Sequence, residues 1–127
     1  MRKRKILISI LILSLFLFSY GSSFAKIRVF FSPKGGAVEE IIKQTDNAES
    51  YIDIAMYSFT YEPIAEAIIR AKNRGVKIHS LMDKVQSQGK YSKYEFFLDN
   101  EIAVIQDRRA GIMHNKIAVI DDRFREG

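Results

Sequence analysis

The run His114-Asn115-Lys116-Ile117-Ala118-Val119-Ile120-Asp121 sets an imidazole two positions from an ammonium, at the head of an apolar stretch that ends in a carboxylate. Each residue type has a distinct chemical use. An imidazole is the common side chain able to attack phosphorus or pass a proton near neutral pH. A lysine two positions on supplies three donors and a positive charge for oxygens that gain negative charge in a transition state. In an extended chain alternate side chains share a face, so His114 and Lys116 would have Cα atoms roughly 6.5 Å apart and reach one tetrahedral anion. Asp121 emerges at the end of the strand, where it is expected either to orient the imidazole or to pair the lysine.

Elements that must position this run follow from hydrophobic periodicity. Lys26–Ser32 reads as a first strand, closed by the turn Pro33-Lys34-Gly35-Gly36. From Ala37 the apolar spacing predicts a helix, with Glu39 and Glu40 in the turn where the dipole favours acids and Asp46-Asn47 at its close. Tyr51–Phe59 reads as a strand that points Ile52, Ile54 and Met56 one way. A helix follows, with Thr60 as N-cap, Pro63 in its first turn and Gly75 just past its end. Val76–Met82 then reads as a strand. Strand, helix ending in glycine, then strand is the β-α-β pattern of a parallel sheet. Asp83–Lys90 reads as a polar loop, Tyr91–Asp99 as a short helix, and Ile102–Ile105 and Lys116–Ile120 as strands. The expected fold is α/β, a mixed, largely parallel sheet flanked by helices.

The ends bear on location and charge. Arg2, Lys3, Arg4 and Lys5, the apolar stretch Ile6–Phe18 and the small residues Ser23 and Ala25 read as a signal peptide over residues 1–25, which implies a secreted or periplasmic protein. The apolar core is shorter than the roughly 20 residues needed to span a bilayer, so cleavage is expected rather than a retained anchor, and no stable membrane span after it. The chain carries +5, but residues 26–127 hold 16 Lys/Arg against 15 Asp/Glu. The basic balance therefore belongs to the targeting segment and does not argue for nucleic acid. The absence of cysteine excludes thiolate metal sites, thiol catalysis and disulfide stapling. The remaining 102 residues suit one domain, 26–127.

The run matches the His-x-Lys-x-x-x-x-Asp motif of the phospholipase D superfamily at every specified position. Phe31-Ser32-Pro33-Lys34-Gly35-Gly36, Ala55-Met56-Tyr57-Ser58-Phe59-Thr60 and Arg74-Gly75-Val76-Lys77-Ile78 also resemble stretches of its small, exported, single-motif bacterial nucleases. The resemblance implies a phosphodiesterase that needs no metal and no cofactor. It implies that His114 attacks phosphorus to form a covalent phosphohistidine, that Lys116 holds the phosphate, and that Asp121 is a supporting residue. A single motif supplies one such histidine, so the resemblance further implies a homodimer with a shared active site. The family pattern continues to Gly-Ser-x-Asn, whereas Asp121 here is followed by Asp122-Arg123-Phe124-Arg125-Glu126-Gly127. The expectation is a C-terminally incomplete domain with its motif strand at an unpaired edge.

Other residues divide between binding and packing. Ser58 closes a strand at its carboxyl end, where α/β sites gather. Arg108 and Arg109 lead into the motif and are the local candidates for holding a polyanion, and Asn115 lies between the reacting pair. These four are the expected substrate-binding residues. His79 has no lysine at +2 and reads as a sheet-packing histidine. Gly35 and Gly36 read as a simple turn, and the Tyr and Phe residues as packing. Three functions remain open: a sequence-nonspecific endonuclease on DNA or RNA, a phospholipase acting on headgroup esters, and an inactive truncated remnant. A basic groove beside the pair would favour the first, an apolar rim the second.

Overall fold

The computed structural model describes residues 26–121; the signal-peptide reading of residues 1–25 lies outside them. Helix α1 spans Ala37–Asp46, strand β1 Tyr51–Met56, helix α2 Glu62–Asn73 and strand β2 Lys77–Asp83. A short helix α3 (Lys84–Ser87), helix α4 (Tyr94–Asp99), strand β3 (Val104–Asp107) and strand β4 (Lys116–Ile120) complete the order. The strands form one sheet in the order β3-β2-β1-β4. β1 with β2 and β2 with β3 run parallel, and β4 runs antiparallel to β1. The fold is the mixed, largely parallel α/β sheet that the sequence implied.

Alternation along the strands decides which face is buried. Ile52 and Ile54 of β1 and Ser80 and Met82 of β2 are buried, while residues between them are more exposed. Ala65, Ile68 and Ala71 of α2 and Phe97 of α4 close over this face. The alanines let the α2 backbone approach closely, and removing Phe97 from water contributes roughly 2 kcal/mol. Arg70 grips Asp46 with two bonds of 3.0 Å, and Arg74 donates to the carbonyls of Thr45 and Ala48, so the C-terminal ends of α1 and α2 are tied. On the opposite face Ile105, Ile117 and Val119 are exposed. β4 has one neighbour among the described strands, so the motif strand lies at the edge.

Several local expectations change. Residues 26–30 form no strand; only Phe31 bridges to Gly35 and Gly36. Alternation marks residues able to pair, but no described strand lies beside them, and Arg28 instead forms an ion pair with Glu40 of α1. The turn itself is so tight that a Cβ on Gly35 would lie 2.6 Å from Phe31. Helix α2 is preceded by Tyr61, not Thr60, and has no side-chain cap. Pro63 occupies its first turn, where a missing N–H costs no helix bond. Residues 83–90 are not all loop: Asp83 caps α3 by accepting the N–H groups of Val85 and Gln86. Helix α4 begins three residues later than expected, at Tyr94, where Ser92 Oγ takes a backbone N–H. β3 starts at Val104, because Ile102 is spent in the core.

Candidate active site

The motif enters the sheet along β4. Ladder pairs place Ile120 opposite Ile52, Ala118 opposite Ile54 and Lys116 opposite Met56. One step further, the Tyr57 N–H donates to the Asn115 carbonyl at 2.7 Å, which fixes the backbone between the two motif residues. His114 lies just outside the strand and Lys116 opens it; both are exposed. Lys116 Nζ is 3.0 Å from His114 Nε2. An ammonium has only protons to give, so this contact is a hydrogen bond in the tautomer that carries its ring proton on Nδ1 and its lone pair on Nε2. The atom with the free lone pair therefore faces the positive charge.

Beneath this pair lies Tyr57. Its ring centroid is 4.8 Å from that of His114 and 5.3 Å from Lys116 Nζ. The ring's negative face attracts the ammonium and limits how far the imidazole can swing. Packing was the sequence reading for Tyr57; its place directly before Ser58 at the end of β1 was the available signal. For the phosphodiesterase proposed below, replacing Tyr57 by leucine should slow turnover about fivefold, a cation–π contact being worth about 1 kcal/mol. Tyr57→Phe, which keeps the ring, should turn over at nearly the parent rate in the same steady-state assay.

The other expected binding residues are distributed around the pair. Ser58 and Lys116 line one cavity of about 480 Å³, whose walls include Ile41, Met56, Tyr61 and Ile64. Asp107, Arg109, His114 and Asn115 line a second hollow of about 300 Å³. Arg109 is not presented as a bare cation. Its Nε and Nη2 lie 2.9 and 2.7 Å from the two Asp107 carboxylate oxygens, and this guanidinium holds the Asp107 carboxyl down to about 2. Arg108 is exposed on the same loop. The described contact of Asn115 is through its carbonyl.

Asp121 does not touch the imidazole or the lysine. It lies at the opposite end of β4, where its carboxylate accepts the N–H groups of Glu49, Ser50 and Tyr51 at 2.7, 2.7 and 3.0 Å. The two expected pairings are replaced by a clamp between β4 and the entry to β1, because a five-residue strand separates the carboxylate from His114 and Lys116. Burial raises its pKa, but those three N–H groups outweigh it and hold the carboxyl below the usual value. Asp121→Ala should cost about 1 kcal/mol of unfolding free energy, the net worth of the lost clamp once water takes over the exposed Glu49 and Ser50 N–H groups; chemical denaturation measures it.

His79 also departs from expectation. It is not packed inside the sheet: it is exposed and its Nδ1 lies 2.7 Å from Asp53 Oδ1. By strand alternation it stands on the face away from Lys116. Among the described residues, no group of three or more His, Cys, Asp or Glu stands together as metal ligands, and no helix is long and apolar enough to cross a membrane.

Acid should loosen this arrangement. The carboxyls of Asp83, Asp107 and Asp121 are all lowered in the folded chain. A lowered carboxyl stabilises the fold above its unfolded pKa, and that contribution disappears as pH falls through the folded value. Thermal unfolding followed from pH 6 downward should show the midpoint falling from about pH 4 towards pH 2.

A mixed α/β sheet whose edge strand opens with a His-x-Lys pair in direct contact defines a domain of the phospholipase D type. The family described as "Cardiolipin synthase, PLD-like domain" matches residues 41–125. The phospholipase D of Rickettsia conorii is 35% identical over 99 residues, covering 78% of this chain and 50% of that protein. Among solved structures, the phospholipase D family member Nuc of Salmonella typhimurium superposes with a TM-score of 0.71 at 28% identity, covering 76% of this chain and 64% of that one. NucT of Helicobacter pylori gives 0.58 at 29% identity, covering 67% and 60%. The chain belongs to the phospholipase D superfamily. It spans about half the length of the curated relatives it matches.

Proposed function

We propose that the protein is a phosphodiesterase that works through a covalent phosphohistidine on His114, without a metal or other cofactor, and that it cleaves nucleic acid without sequence preference. The observation that carries the chemistry is the 3.0 Å contact between Lys116 Nζ and His114 Nε2. The non-bridging oxygens of a bound phosphodiester accept hydrogen bonds from the ammonium, which frees Nε2 to face phosphorus. The lone pair forms the N–P bond as the bond to the leaving oxygen breaks, and that oxygen needs a proton. Water then attacks phosphorus and gives its proton to the group that protonated the leaving oxygen, and the N–P electrons return to the imidazole.

The proton for the leaving oxygen supports a dimer. The chain has two histidines, and His79 faces Asp53 on the other side of the sheet. A second copy's His114 is the matching acid, in a site shared between two copies. Exposure of the pair supports a polymeric substrate, since a long backbone can reach it without being enclosed. A phospholipid is the second reading, and the rim criterion favours it: the cavity with Lys116 in its wall is apolar, Arg109 is held by Asp107, and relatives such as the Rickettsia enzyme carry the name phospholipase D; the nucleic-acid reading rests on the openness of the pair. Export to the periplasm or beyond is part of the same proposal.

The test is incubation of the chain with DNA, RNA and phosphatidylcholine vesicles in excess chelator. Cleavage of the nucleic acids is expected. Headgroup release alone would replace the substrate assignment, loss of all turnover on chelation would overturn the metal-free chemistry, and an inert chain would favour the remnant reading.

A further inference from the structure

We propose that Asp83 is a positioning residue that fixes the backbone on the N-terminal side of His114. This rests on the reading of His114 as the nucleophile. Asp83 ends β2 and is 5% exposed. One carboxylate oxygen accepts the N–H groups of Val85 and Gln86 at 2.9 and 3.0 Å, which caps α3. The other accepts the Met113 N–H at 3.2 Å, across a sequence separation of 30 residues. One side chain therefore joins the end of a central strand to the residue directly before His114.

The surrounding loop makes that bond consequential. Residues 111–115 belong to no helix or strand, Gly111 has a φ of 106° and Ile112 is 71% exposed. The segment is held at two points. Met113 is 6% exposed and bonded to Asp83, and the Asn115 carbonyl is bonded to the Tyr57 N–H. His114 sits between these two clamps. Removing the first leaves a buried N–H without its acceptor and lets the loop turn about Gly111. A displacement of about 1 Å at a reacting atom can cost a hundredfold in rate.

Two substitutions separate this role from the helix cap. In Asp83→Asn the remaining oxygen can keep Val85 and Gln86, while an NH2 group, which cannot accept, faces Met113. Asp83→Ser also keeps a capping oxygen but is too short to reach Met113. With bis(p-nitrophenyl) phosphate as probe, both should lower kcat about 30-fold with KM changed less than threefold. The His114 ring signals in NMR should shift or broaden, and exchange of the Met113 and His114 amides should accelerate at least tenfold. Folded variants with parent kcat, ring signals and exchange would overturn the proposal. If the parent chain hydrolyses nothing, the functional reading fails, and the NMR comparison still decides the positioning role. If neither variant folds, the parent alone decides: protection of the Met113 amide comparable to that of Val85 and Gln86 supports the clamp, and an unprotected Met113 amide overturns it.

Discussion

Replacing His114 by alanine is expected to lower phosphodiester hydrolysis by roughly ten-thousand-fold, because among the described residues no other side chain at the site can take over attack on phosphorus. Ser58 and Thr60 share the neighbouring cavity wall with Lys116, but an unactivated hydroxyl is a poor nucleophile near neutral pH. His79 is paired with Asp53 on the far face. The loss should come without unfolding. His114 is exposed and its side chain rests on the Tyr57 ring and the Lys116 ammonium, so stability should move by no more than about 0.5 kcal/mol. Initial rates on bis(p-nitrophenyl) phosphate, with thermal unfolding of the same samples, check both halves.

Lys116→Ala should lower kcat by roughly 300-fold, the range found when one preorganised donor to a developing negative charge is removed. Lys116→Met separates charge from packing. Methionine retains much of the aliphatic stem that helps line the cavity beside Met56 and Ala118, but it has no donor. If the ammonium is what matters, Met and Ala variants should be equally impaired in the same assay; recovery with Met would mean that the stem is the working part. Arginine should recover part of the rate, since its planar fork cannot occupy the compact position 3.0 Å from Nε2 without displacing the imidazole.

How far the sequence reveals this site depends on the range of each interaction. That His114 and Lys116 stand on one side was legible because both residues lie in one strand entry, where a period of two fixes their side; their direct contact was not. The parallel β1–β2 pair was legible from the strand, helix, glycine and strand that succeed one another between Tyr51 and Asp83. Asp121 was not. Its position suggested orienting the imidazole or pairing the lysine, but its partners are backbone N–H groups about 70 residues earlier, and backbone donors leave no mark in side-chain identity. Asp83 was not legible either: Asp83–Lys90 read as a polar loop because a helix of four residues shows no periodicity, and the bond of Asp83 to Met113 is a tertiary fact. The Lys26–Ser32 strand failed for another reason. Alternation states which face a strand would show, and pairing needs a neighbouring strand, whereas Phe31 meets only single bridges to Gly35 and Gly36.

The most direct measurement is rapid quenching of the chain during turnover of bis(p-nitrophenyl) phosphate in excess chelator, followed by mass spectrometry of the peptide that carries His114. The expected result is a phosphoryl adduct on the His114 ring that is labile to acid and absent from His114→Ala. Turnover with His114 unmodified at every quench time, or an adduct on another residue, would contradict the phosphohistidine route.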